Sequence, residues 1–175
     1  QLTKAPLREM GSLTFEKSLE DALKTSTYII ESLPENLQLK HNLYEEIEQI
    51  SNNSIILSST SGFKPTDLQK YMKNPQNLLV THPFNPVYLM PLVEVVPGQD
   101  RDQKIVDDVH NLLEYIGMVP IIIKKEIDAF VADRMLEAMW REALWLIKDD
   151  ICTTKELDDI ITVSYTHLRA HETKK

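Results

Sequence analysis

Short apolar runs, each too brief for a helix but long enough for a buried strand, recur through the first two thirds of the chain. They are Leu13-Thr14-Phe15, Tyr28-Ile29-Ile30, Ser54 to Leu57, Leu78-Leu79-Val80, Leu92 to Val96 and Val119 to Ile123. Between them the spacing turns helical. Leu19 to Leu23 reads as a short helix, and Glu35 to Ile50 puts Leu39, Leu43, Ile47 and Ile50 on one face behind a Pro34 start signal. Pro65 opens another helix, and Ile105 to Ile116 carries Val106, Val109, Leu112, Leu113 and Ile116 on its apolar side. Strands alternating with helices predict an α/β chain built on a doubly wound, mostly parallel sheet. After Lys124-Lys125 the period changes. Ala129 to about Lys148 places Phe130, Met135, Met139, Trp140, Leu144, Trp145 and Ile147 on more than one face, which predicts a helix buried on several sides. With a further helix over Glu156 to Ile161, this segment reads as the start of a separate all-α domain at 124–162, after an α/β domain at 1–123.

Candidate chemistry gathers where the strand pattern breaks. Asn85-Pro86 and Met90-Pro91 each push the residue before proline to extended geometry and remove a backbone donor, so a strand ends near His82. When the pattern resumes at Leu92 to Val96, Glu94 is its only charge, and a carboxylate there is costly unless it meets a cation or a donor. His82 is the obvious donor. An imidazole titrates near neutral pH and suits general acid–base work. Ser61, just before Gly62, falls at the carboxyl edge of a strand, where open α/β sheets bind ligands, and the bland alternative is a helix cap. Ser58 and Thr60 are weaker candidates.

Composition narrows the partners. A formal net charge of −8 makes nucleic acid and anionic membranes poor partners and a cationic small molecule a better one. The single cysteine, Cys152, fits a reducing, cytoplasmic setting, and no apolar run reaches the ~18 residues of a membrane span. No metal site is expected. The four glycines, Gly11, Gly62, Gly98 and Gly117, do not have the spacing that cradles a dinucleotide pyrophosphate.

The segments Glu35-Asn36-Leu37-Gln38-Leu39-Lys40, Ser58-Ser59-Thr60-Ser61-Gly62 and Thr81-His82-Pro83-Phe84-Asn85-Pro86 resemble the L-3-hydroxyacyl-CoA dehydrogenase superfamily. Arg141-Glu142-Ala143-Leu144-Trp145-Leu146-Ile147-Lys148-Asp149-Asp150-Ile151-Cys152 points within it to the L-carnitine dehydrogenase branch, and the likeness runs from Leu2 to about Thr162. The resemblance implies a Rossmann-type NAD-binding domain and NAD-dependent oxidation of the 3-hydroxyl of L-carnitine to 3-dehydrocarnitine, in a cytoplasmic homodimer. It makes His82 the general base, Glu94 its orienting carboxylate, and Ser61 a contact to both nicotinamide and substrate oxygen. Glu35, Lys40 and Asn85 match positions on the nicotinamide side; a solvent-exposed helix-start pair is the alternative for the first two, and a turn-shaping role for Asn85. Asp133 departs from the pattern, since the acyl-CoA enzymes carry asparagine there. A carboxylate would favour a quaternary ammonium, to which Phe84, Tyr88, Trp140 or Trp145 could offer π-faces, although core or subunit packing is the simpler role for each aromatic. Asp133 could instead pair with Arg134 or Arg141. Two other functions stay open: a different 3-hydroxyacid or 3-hydroxyacyl-CoA dehydrogenase, and a non-catalytic structural domain.

Both ends carry their own expectations. The resemblance places a first strand and glycine-rich loop before Gln1. Val163-Ser164-Tyr165-Thr166-His167-Leu168-Arg169-Ala170-His171-Glu172-Thr173 matches, residue by residue, a translation of the transposase adapter used in sequencing libraries, so 163–175 reads as a non-native tail.

Overall fold

A computed structural model describes residues 11–172, with side chains through Ser164. The chain divides into two compact units, Gln1–Ala132 and Asp133–Lys175. In the first unit, helix α1 (Leu19–Leu23) starts at Ser18, whose hydroxyl accepts the Asp21 N–H. Strand β1 (Tyr28–Glu31) leads to α2 (Leu37–Ile50), where Asn36 caps the Leu39 N–H, and then to β2 (Ile55–Ser58). Helix α3 (Pro65–Gln69) has proline in its first turn, where no intrahelical donor is lost. A 3-10 turn at Pro75–Asn77 precedes β3 (Leu78–Pro83), and β4 (Leu92–Pro97), α4 (Gln103–Tyr115) and β5 (Val119–Ile122) complete the sheet.

The five strands lie in the order β1-β2-β3-β4-β5, parallel except for the antiparallel β3–β4 pair. Strand alternation feeds two cores. Ile56, Leu78, Val80 and Val96 meet Leu23, Tyr44, Ile47 and Leu68 on one face. Ile55, Leu57, Leu79, Val93 and Val95 meet Val106, Val109 and Leu113 of α4 on the other. Helices thus cover both faces, as the alternating pattern predicts.

Four local expectations are corrected. Leu13-Thr14-Phe15 forms no strand; Leu13 and Phe15 are 81% and 88% exposed, and a lone extended segment without a ladder partner gains nothing from being a strand. In β1 the buried residue is Glu31, not Ile30, which is 72% exposed. The buried stripe of α2 is Lys40, His41, Tyr44, Ile47 and Glu48, so Leu39 and Ile50 face outward. Its polar members are satisfied: Lys40 and Tyr44 by Glu31, His41 by the Asp67 carbonyl, and Glu48 by the N–H groups of Lys73 and Asn74. Burial with partners in place overrides the apolar stripe. Finally, α5 (Ala132–Lys148) begins at Ala132, because Ala129 and Phe130 take left-handed backbone with φ of 59° and 48°.

The second unit holds the body of α5 and helix α6 (Thr154–Glu172). Thr153 and Glu156 form a reciprocal cap, the threonine hydroxyl accepting the Glu156 N–H while the carboxylate accepts the Thr153 N–H. No residue of α5 is buried, contrary to the expectation of a helix covered on several sides. Helix α6 continues past Thr162; the side chains of Tyr165 and Leu168 and residues 173–175 of the expected non-native tail lie outside the described residues.

Candidate active site

The antiparallel turn of the chain between β3 and β4 places His82 directly across from Glu94 in the ladder. Side chains of such a pair share one face and meet without a loop to align them. Both are buried, and Nδ1 of His82 lies 3.1 Å from Oε2 of Glu94. A carboxylate oxygen accepts, so in this contact Nδ1 is the donor. The other oxygen of Glu94 accepts the main-chain N–H groups of Val131 and Ala132 at 2.9 and 3.0 Å. Phe130, fully buried, sets its ring 5.3 Å from the His82 ring. The expected His82–Glu94 pairing is therefore formed.

Ser61 lies at the same edge of the sheet as His82, since β2 and β3 run parallel, but three residues beyond the end of β2 rather than at it. Its N–H donates to Glu35 at 2.7 Å, and Glu35 also accepts from the Thr60 hydroxyl and the Gly62 N–H. Glu35 is thus the organiser of the β2–α3 loop.

Lys40 is not the exposed helix-start residue that one reading of the sequence allowed. It is 1% exposed, with Nζ 2.8 Å from Glu31 and 3.1 Å from the Leu33 carbonyl. Tyr44 and Ser58 donate to the second Glu31 oxygen at 2.6 and 2.7 Å. Burial pushes the Glu31 carboxyl upward, yet Lys40, Tyr44, Ser58 and the Leu33 N–H together hold it below the usual carboxylate range. Burial and the neighbouring Glu31 push the Tyr44 hydroxyl strongly up. Sequence reading missed Glu31, although a carboxylate directly after an apolar strand carries the same signal that identified Glu94. Phe130 was counted as helix, and nothing in its local pattern marks it as a wall of the histidine.

Asn85, Phe84 and Tyr88 follow His82 in the β3–β4 connection; Asn85 and Tyr88 are exposed and Phe84 is half-buried. Asp133, Trp140 and Trp145 lie on α5 in the second unit, and Lys148 sits 4.2 Å above the Trp145 ring, showing that this indole takes a cation on its face. At the carboxyl edge of the sheet an apolar recess of about 260 Å³ is lined by Ile30, Ser32, Ser59, Thr81, Pro83 and Val87.

The family described as 3-hydroxyacyl-CoA dehydrogenase, NAD binding domain, matches residues 3–127. The chain belongs to this family. It is 50% identical over 167 residues to an L-carnitine dehydrogenase of Mesorhizobium japonicum, a match covering 94% of this chain and 46% of the relative. It thus spans about half the length of that relative. Among solved structures it is similar to an NAD+-dependent FHMPC 5-dehydrogenase, with a TM-score of 0.81 and 30% identity over 90% of this chain and 51% of the other. It is also similar to the (S)-3-hydroxybutyryl-CoA dehydrogenase of Ralstonia eutropha, with a TM-score of 0.76 and 30% identity over 85% and 53% of the two chains. The cofactor of this NAD-binding family is NAD.

Proposed function

We propose that the protein carrying this chain oxidises the 3-hydroxyl of L-carnitine to the ketone of 3-dehydrocarnitine, with NAD as the oxidant. The observation that carries this reading is the buried His82–Glu94 pair in a chain half identical to an L-carnitine dehydrogenase. Bound NAD would take the hydride from the carbinol carbon. His82 takes the hydroxyl proton at Nε2 as the C=O bond forms, and Glu94 steadies the imidazolium through Nδ1. Glu94 keeps its place because its second oxygen is held by two main-chain N–H groups. The Ser61 hydroxyl holds the substrate oxygen and the nicotinamide side, while Glu35 fixes the loop that presents it. Asn85 faces the nicotinamide, and Lys40 acts there through the β1–α2 loop, its ammonium being committed to Glu31 and Leu33.

Asp133 selects for a cationic substrate, with support from its replacing the asparagine of the acyl-CoA enzymes. Phe84, Tyr88, Trp140 and Trp145 are the aromatic candidates for the trimethylammonium, one face of Trp145 being covered by Lys148. The full-length protein is taken as a cytoplasmic homodimer without nucleic-acid or membrane partners. The exposed Met135, Leu136, Met139, Trp140 and Leu144 of α5 support a partner surface, and no helix among the described residues is long and apolar enough to cross a membrane.

The test is a chimera in which this chain replaces the matching segment of the Mesorhizobium japonicum relative, assayed by NADH formation. L-Carnitine should be oxidised in preference to 3-hydroxybutyrate and (S)-3-hydroxybutyryl-CoA, and Asp133→Asn should weaken L-carnitine more than 3-hydroxybutyrate. A chimera that prefers the thioester overturns the carnitine assignment, and an unchanged preference after Asp133→Asn removes the role given to that carboxylate.

A further inference from the structure

The base and its carboxylate are both held by one short turn that lies outside every motif singled out in the sequence. Ala129 and Phe130 adopt left-handed backbone, a conformation that a Cβ disfavours. Two such residues in succession persist only where the surroundings over-determine them. Here the surroundings are the site. The turn aims the Val131 and Ala132 N–H groups at Oε1 of Glu94, and it carries the Phe130 ring inward to full burial, tilted by 45° against the His82 imidazole. Its Phe130 N–H closes on the Ile127 carbonyl at 3.2 Å.

We propose that the Ala129–Val131 turn is the positioning element of the catalytic pair. Phe130 fixes the plane of the His82 ring, and the two N–H groups fix the rotation of the Glu94 carboxylate. Without them, Glu94 retains a partner but loses the orientation that keeps hydrogen on Nδ1. Phe130 and Ala129 act through His82 and Glu94 and are positioning residues. The turn immediately precedes the body of α5, so the orientation of the base is tied to how the first unit ends.

The inference rests on His82 being the base, and the first test is independent of turnover. In the 15N-labelled chain, the ring nitrogens of His82 should report a single tautomer, hydrogen on Nδ1, and Ala129→Gly, which keeps access to positive φ, should leave those signals unchanged. Ala129→Pro, whose φ is locked negative, should give averaged ring-nitrogen signals while the sheet resonances persist. A folded Ala129→Pro chain with an unaltered His82 tautomer overturns the proposal. Should Ala129→Pro fail to fold, Phe130→Leu decides. In the chimera it should lower kcat by at least about tenfold, within the range that general acid–base catalysis contributes, and leave the KM for NAD in place. An unchanged kcat overturns the proposal. If the unsubstituted chimera oxidises no 3-hydroxy substrate, the catalytic reading fails while the ring-nitrogen spectra still decide whether the turn positions His82.

Discussion

Two buried carboxylates of the same sheet sit in contrasting company. Glu31, at the end of β1, is closed: an ammonium, a phenol, a serine hydroxyl and a main-chain N–H occupy its oxygens. Glu94, on β4, has two main-chain N–H groups on one oxygen and an imidazole on the other. The first carboxylate is paired with a buried lysine ammonium, Lys40, 2.8 Å away. The second is paired with the one side chain whose charge ordinarily changes in the physiological range. A buried carboxylate that must only hold a loop is best matched to a fixed cation, whereas one that must accompany a proton transfer needs a partner able to gain and lose a proton. By this contrast Glu31 is built to hold a loop and Glu94 is built to suit the proton transfer proposed above, although sequence pattern alone gives both the same description.

The largest effect expected from the contrast is on rate. In the chimera, His82→Ala should cut kcat/KM by about 10²–10⁴, the usual contribution of a general base, while NAD binding measured by titration persists. Retention of most activity would break the distinction at its chemical end.

Next comes stability. Lys40→Met removes the cation from a buried carboxylate, and breaking a buried pair on one side costs about 3–5 kcal/mol. Urea unfolding of the chain measures it; a loss below about 1 kcal/mol, typical of surface pairs, would show that Glu31 does not depend on Lys40. Replacing both members, as in Glu31→Gln with Lys40→Met, should recover part of the loss, since no bare charge is left behind.

The pH dependence of stability sharpens the same point. Because the folded protein holds the Glu31 carboxyl below its ordinary value of 4.5, Glu31 contributes stability that is fully present above that pH. The contribution is lost as pH falls further, toward and through the folded value. Tyr44 runs the opposite way. Its hydroxyl is raised above the ordinary value of 10.0, so its contribution is present below that pH and is lost as pH rises above it. Thermal unfolding followed across both limbs should give an acid limb flattened by Glu31→Gln and an alkaline limb flattened by Tyr44→Phe. Limbs that these substitutions leave unchanged would remove the Glu31 cluster from the acid and alkaline behaviour of the fold.

What could be read from the sequence follows the same division. Strands β1 to β5 were legible because short apolar runs bounded by proline and polar residues have few other uses, Leu13-Thr14-Phe15 being a run left without a ladder partner, and the His82–Glu94 pair was legible because a lone charge in such a run demands a donor. The buried side of α2 was not. Leu39 and Ile50 of its apolar stripe point outward, and Lys40, His41 and Glu48 are buried beside Ile47 because partners distant in sequence wait for them. Periodicity counts apolar residues and cannot see a carboxylate on the next strand. The start of α5 departs from the pattern for a related reason: Ala129 and Phe130 have ordinary helix-compatible side chains, and their left-handed turn meets contacts distant in sequence, main-chain donors to Glu94 and the Phe130 ring against His82.

The smallest effect concerns Ser58, which separates geometry from charge within the Glu31 cluster. Its hydroxyl donates to Oε2 at 2.7 Å, beside the Tyr44 hydroxyl on the same oxygen, and it is wholly buried. Ser58→Ala leaves Lys40 in place, so no charge is uncovered, and the carboxylate keeps a donor on each oxygen. The cost should then be that of one hydrogen bond to a charged group, about 1.5–3 kcal/mol, and should fall at the lower end because Tyr44 remains. Urea unfolding of Ser58→Ala against Lys40→Met measures the separation. If Ser58→Ala proves as damaging as Lys40→Met, the cluster is held by its hydrogen-bond geometry as a whole rather than by the Lys40 charge, and the contrast with Glu94 would have to be restated in those terms.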